Sequence, residues 1–142
     1  MILRTARFAE LDAATLYALL RLRVDVFVVE QTCPYPELDG RDVEPGTVHV
    51  WLDQDGRPAS YLRILEDPGA ARIGRVCTAA THRGDGLAAR LVAAALDLIG
   101  TRPAVLDAQA HLADFYARFG FEVSGAQFVE DGIPHVPMRR KP

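Results

Sequence analysis

The segment Arg83-Gly84-Asp85-Gly86-Leu87-Ala88 stands between a strand-like run, Arg72 to Ala80, and a strongly apolar helical run. Glycines at 84 and 86 remove side chains where a backbone must come close to an anion, and a helix starting there presents amide N–H groups with no partner inside the helix. Together with the positive end of the helix dipole, those amides favour a pyrophosphate. Other phosphate-binding loops fit badly. A P-loop needs Lys and then Ser or Thr after its second glycine, where this chain has Leu87-Ala88. A dinucleotide fingerprint needs three glycines and an acidic residue roughly 20 positions on at a strand end. Only two glycines are present, and Asp107, 21 residues after Gly86, lies in a segment with a different assignment.

A second group of residues supports a chemical reading. Asp114-Phe115-Tyr116-Ala117-Arg118-Phe119-Gly120-Phe121 begins 26 residues after Ala88, which leaves room for one helix, a turn and one strand. The pattern Arg-x-x-Gly-x-Ala, matched by Arg83, Gly86 and Ala88, resembles the coenzyme A pyrophosphate loop of the GNAT acetyltransferases, and the later segment resembles that family's short helix carrying a Tyr and ending at Gly-Phe. Phe27 to Tyr35, Asp39-Gly40, Leu106 to His111 and Glu130 to His135 are similar to the ElaA branch of the family, so the likeness covers most of the chain. One departure is Gln109, where many members carry Asn seven residues before the Tyr; an amide able to bond the cofactor is kept.

The elements that must position these residues follow from periodicity. Met1 to Phe8 reads as a strand, and apolar positions Leu16, Leu20, Val24 and Phe27 predict a helix from about Leu11 toward Val26 to Val29, where β-branching blurs its end. Two prolines and a glycine make Cys33 to Gly40 a loop. Thr47 to Asp53 and Pro58 to Leu65 flank Gln54-Asp55-Gly56, a hairpin signal, and Pro68-Gly69 marks the next turn. After Arg72 to Ala80 comes a helix from Gly86 to Ile99, whose Arg90 and Asp97 share one narrow face with the rest expected buried; Gly100 and Pro103 stop it. Ala104 to Gln109 reads as a strand, His111 to Phe119 as a helix, and Phe121 to Val129 and Pro134 to Arg139 as strands. This order predicts an α/β fold, a mixed sheet with helices on both faces, which is also the GNAT-type acyl-CoA N-acyltransferase fold the resemblance implies.

The resemblance implies further that two parallel strands, Arg72 to Ala80 and Ala104 to Ala110, splay apart around the pantetheine arm of acetyl-CoA, the co-substrate. Backbone groups of Val76, Cys77 and Thr78 would pair with pantetheine, and Arg83, Gly84, Asp85, Gly86, Leu87 and Ala88 would hold the pyrophosphate, with no metal needed. An acetyl group would pass directly to a primary amine; the alternative is a coenzyme A-binding regulatory module without turnover. Direct transfer needs a neutral amine, a partner for the oxyanion and a proton for the thiolate. Tyr116 stands at the family's proton-donor position, and a phenol with an ordinary pKa near 10 is protonated at neutral pH. Glu30 is the candidate base, with His111 and His135 as alternatives because imidazole titrates near neutrality. Gln31, His111 and His135 are candidate acceptor-binding residues, and the acceptor remains open between a small molecule and a peptide amine. The oxyanion partner would be a backbone N–H near Val76 or Cys77.

Composition restricts the alternatives. With 142 residues, 49% hydrophobic and 25% charged, the chain is expected to form one domain that buries roughly two-thirds of its unfolded surface. A net charge of −3 gives no support for nucleic-acid or membrane partners. Cys33 and Cys77 are too few and too far apart for a metal site, and two lone thiols with no signal-type N-terminus predict a cytoplasmic protein without a disulfide. Pro134 and Pro137 lack the amide that a pairing edge strand would use, so a monomer or weak homodimer is expected.

Overall fold

The computed structural model describes all 142 residues. Eight strands form one sheet: β1 (Ile2–Ala6), β2 (Val48–Gln54), β3 (Arg57–Asp67), β4 (Ala70–Thr78), β5 (Ala104–Gln109), β6 (Glu122–Val123), β7 (Phe128–Glu130) and β8 (Ile133–Arg140). The order across the sheet is β1-β2-β3-β4-β5-β8-β6, with β7 also on β8. Only β4 and β5 run parallel. The β2–β3 hairpin turns at Asp55-Gly56, with φ of 52° and 83°, as the Asp-Gly pair predicts.

Helices α1 (Ala13–Val24) and α2 (Leu87–Ile99) cover opposite faces of the sheet. Val50 and Leu52 of β2 join Leu91, Val92, Ala95 and Ile99 of α2 in the larger core, whereas Trp51, between them, joins Leu19, Leu22 and Val26 on the α1 side. That alternation is the period-two geometry of a strand. The Asp12 carboxylate caps α1, accepting from the Thr15 amide at 2.7 Å.

Five expectations change. The stripe of α1 and the turn after it that buries deepest is Leu19, Leu22, Arg23 and Val26, with Leu16, Leu20, Val24 and Phe27 half-buried beside it; a buried arginine in the middle hides the true stripe from a count of apolar residues. On α2, Ala93 and Leu98 are exposed along with Arg90 and Asp97, so the solvent face is wider than its two charges. The predicted strand Phe121 to Val129 is broken into β6 and β7. Between them Ser124 turns to donate its amide to the Pro137 carbonyl at 2.8 Å, and a Cβ on Gly125 would lie 2.9 Å from the Pro137 ring. Those contacts cover β8, which is interior: it pairs with β5 on one side and with β6 and β7 on the other, so the edge imagined at Pro134 to Arg139 does not exist. The helix predicted over His111 to Phe119 is a 3-10 turn, Ala110–Leu112, followed by α3 (Ala113–Ala117).

After Val24 the chain widens into a π-helical turn, Asp25–Glu30, in which the amides of Gln31 and Cys33 reach back five residues to Val26 and Val28 at 3.3 and 3.1 Å. This carries Glu30 and Gln31 over the end of the sheet where β4 and β5 part.

Candidate active site

The two parallel strands are paired only at Ala71 with Ala104 and Arg72 with Val105. Beyond that point they diverge. A bulge in β4 contributes: from Gly74 to Cys77 the strand takes three steps while β3 takes two, from Arg63 to Tyr61, and Arg75 sits in the bulge with φ of 53°. The divergence opens a cleft of about 540 Å³ whose walls include Val76 of β4, Gln109 of β5, Tyr116 of α3, His135 of β8 and the loop residues Gln31 and Tyr35.

The cleft passes through the sheet, so its residues come from two sides. Leu106, Ala108, Val136 and Met138 pack into the α2-side core, and Tyr116 belongs to that core. Strand alternation therefore puts Gln109 and His135, which are directly paired, on the α1 side. Tyr116 is 6% exposed, with edge-on contacts to Phe115 and Phe121 at 5.0 and 6.2 Å between ring centres. Burial pushes its phenol up to about 12, so the group stays protonated.

The loop before α2 is built by backbone conformation. Gly84 and Gly86 have φ of 87° and 73°, and a Cβ on either would meet no atom within 4 Å, so the left-handed backbone and not crowding within the protein selects glycine there. Leu87 sends its side chain into the core, leaving its backbone to the loop; Ala88 is half-buried and Asp85 exposed. Arg83 donates to the Thr78 carbonyl from Nε and Nη2 at 3.2 and 3.1 Å. The Cys77 carbonyl accepts from Ser60 Oγ at 2.9 Å, and Val76 packs toward the α2-side core. Burial pushes the Cys77 thiol up to about 12, which makes it a poor nucleophile.

The other sequence-predicted residues separate. Gln31, Gln109 and His135 line the cleft together with Tyr116. His111 does not: it is exposed on the turn before α3, outside the lining residues. Glu30 also lies outside them, its two carboxylate oxygens held by the Arg83 guanidinium at 2.6 and 2.9 Å.

Composition and spacing missed a buried charge network under the α1-side wall of the cleft. Arg23, 1% exposed, donates from Nε to Glu37 and from Nη1 to Asp42, both at 2.7 Å. Arg63 bridges Asp39 and Asp42, and Arg75 adds a 2.9 Å bond to Glu37. Tyr35 donates its hydroxyl to Glu37. His49 joins through Tyr61 at 2.6 Å and the Asp42 carbonyl at 3.1 Å. Burial alone would raise the Asp42 carboxyl, but the hydrogen bonds and charge of Arg23, aided by Arg63, outweigh it and hold Asp42 below the usual range; Arg63 and the Arg41 amide do the same for Asp39. The network pins the loop of residues 31 to 42 against β3 and β4. A trace is readable afterwards: Arg63 interrupts the apolar run Tyr61 to Leu65, where a strand of this composition tolerates a charge only if it is paired.

No helix is long and apolar enough to cross a membrane. The family model of the acetyltransferase (GNAT) domain matches residues 21–142. A UPF0039 protein of Mycobacterium tuberculosis is 51% identical, over 97% of this chain and 92% of its own length. The crystal structure of an acyl-CoA N-acyltransferase from Pseudomonas aeruginosa is 42% identical with a TM-score of 0.92, covering 98% of both chains. That of Escherichia coli ElaA is 37% identical with a TM-score of 0.93, covering 99% of both. With its parted strands, glycine loop and tyrosine in the gap, the chain belongs to the GNAT acetyltransferase family, on the branch that includes ElaA.

Proposed function

We propose that this chain transfers an acetyl group from acetyl-CoA directly to a primary amine. The observation that carries the reading is the end of β4–β5 pairing after Arg72 and Val105, which leaves a gap with Tyr116 standing on one side of it. Beyond Arg72 the β5-facing edge of β4 has no strand partner, so its backbone around Val76, Cys77 and Thr78 suits the amides of pantetheine, which would take the place of a strand once Arg83 releases the Thr78 carbonyl. The amides that open α2, with Arg83, suit the pyrophosphate.

In the reaction the lone pair of the amine nitrogen bonds to the acyl carbon, the carbon–sulfur bond breaks, and the thiolate leaves with the bonding pair. Tyr116 supplies the thiolate's proton and regains one from solvent. The amine's extra protons go to a base and then to water, so one proton is released for each ammonium acetylated. Backbone N–H groups near the β4 bulge would meet the oxyanion. Cys77, protonated and buried, takes no acyl group.

Glu130 and Asp131 face the cleft without a cationic partner, whereas Arg63, Arg72 and Arg75 are each paired with carboxylates. This favours a cationic acceptor. Gln31 and Gln109 offer amides to the acceptor and the cofactor. Calorimetric titration with acetyl-CoA, with ATP as control, followed by a thiol-release screen over polyamines, amino sugars and peptides, tests the reading. Binding with amine-dependent thiol release supports it; binding without release on any amine identifies a module that only binds coenzyme A.

A further inference from the structure

His135 is fixed in one ring orientation and one tautomer by its neighbours. Its Nδ1 lies 2.7 Å from the Ile133 carbonyl oxygen, an atom that can only accept, so Nδ1 carries the proton. A neutral imidazole has one ring N–H, and Nε2 is therefore left with its lone pair. The ring stacks on Phe128 with centres 5.7 Å apart and planes 18° apart, so β7 braces it. Cys33 Sγ donates to the Asp131 carbonyl at 3.2 Å and ties the β7–β8 turn to the acceptor-side loop. The register of Gln109 with His135, and the packing of Val136 into the opposite core, put the imidazole on the α1 side of the gap, across from Tyr116.

We propose that His135 Nε2 is the base that takes the proton of the acceptor amine; this rests on the transferase reading above. The division of labour follows from the cleft passing through the sheet. The amine enters on the α1 side and gives an N–H proton to Nε2, its nitrogen bonds to the acyl carbon, and the thiolate leaves toward the α2 side, where Tyr116 donates. His135 then returns its proton to solvent. The two other candidates are badly placed for this step. Both Glu30 oxygens are engaged by Arg83, and His111 is exposed outside the cleft.

Two measurements test the assignment. In the wild-type chain, nitrogen-15 NMR of the imidazole should show Nδ1 protonated and Nε2 bare; a bare Nδ1 overturns the proposal. With the amine on which the wild type releases most thiol, His135→Asn and His135→Gln should lower kcat by roughly 100-fold or more, the low end of general-base contributions. Acetyl-CoA affinity by calorimetry should be unchanged, because the proposed role of Nε2 is toward the acceptor, and added imidazole should restore part of the rate in His135→Ala. Undiminished kcat in both polar variants, beside an active wild type, overturns the base and leaves the transferase standing. A wild type that releases no thiol on any amine overturns the transferase reading, and the base with it.

Discussion

Replacing Glu30 by Gln separates two roles for this carboxylate. As a base it would contribute to the chemical step, and its loss would cost between about 100-fold and 10,000-fold in rate with cofactor affinity untouched. The geometry points elsewhere, since both oxygens lie on Arg83, the arginine of the proposed pyrophosphate loop, at 2.6 and 2.9 Å. Arg83 can give that face of its guanidinium to a pyrophosphate only by releasing Glu30. The side chains are 44% and 42% exposed, so the pair is worth roughly 0.2–1 kcal/mol, the range for solvent-screened ion pairs. Removing this competitor should tighten acetyl-CoA binding by that amount, about 1.4- to 5-fold. The gain should shrink in high salt, as the screening length falls from about 10 Å at 0.1 M to about 3 Å at 1 M. Calorimetric titration of wild type and Glu30→Gln at low and high salt, beside thiol-release rates, reads both quantities. Weaker binding in the variant, or a rate loss beyond about 100-fold at saturating acetyl-CoA, would refute the argument.

Other consequences are as direct. Tyr116→Phe should keep acetyl-CoA affinity and lower kcat by roughly 100-fold or more, and an equal rate would remove the acid. Gly86→Val forces a β-branched residue into φ of 73° and should abolish measurable acetyl-CoA binding while circular dichroism shows the fold retained; unchanged affinity would dissociate the loop from the cofactor. Arg23→Met removes one of the two arginines on each of Glu37 and Asp42, leaving Arg75 and Arg63, and should cost about 3 kcal/mol in urea unfolding, the low end for breaking a buried pair, against less than 1 if the network were incidental. Because Asp39 and Asp42 are held below their unfolded value near 3.9, the stability they add is complete above that pH and is lost as pH falls through the lower folded-state values. Wild type should accordingly lose stability on acidification below about pH 4, more steeply than Arg23→Met; parallel acid curves would contradict the pairing. Mass spectrometry after incubation with acetyl-CoA should find Cys77 unmodified, and an acetylated Cys77 would replace direct transfer by a two-step mechanism.

What could be read from the residues alone was whatever depends on near neighbours. Gly84 and Gly86 mark a left-handed turn before an apolar helix, Asp55-Gly56 marks a hairpin, and the tyrosine helix follows at a distance that allows one strand between; each survives in the fold. The family likeness supplied the parted strands, which no local pattern encodes, since they depend on where β4–β5 pairing stops. The buried charge network was out of reach for a different reason. Arg23 meets Glu37 across 14 positions and Arg75 meets Glu37 across 38, so every partner looks like an ordinary surface charge until the chain folds. Glu30 shows the same limit at the site. It reads as a candidate base in the sequence, but its pairing with Arg83 spans 53 positions and can be seen only in three dimensions. For His135, the backbone carbonyl two residues earlier sets the tautomer, and a sequence does not reveal which ring nitrogen faces it.

The most direct test of the central claim is calorimetric titration of the wild-type chain with acetyl-CoA, continued in the same sample as thiol release on addition of a primary amine. The account predicts saturable binding of acetyl-CoA, none of ATP, and release of free thiol only when the amine is present. No acetyl-CoA binding, or thiol release that proceeds equally without an amine, would contradict it.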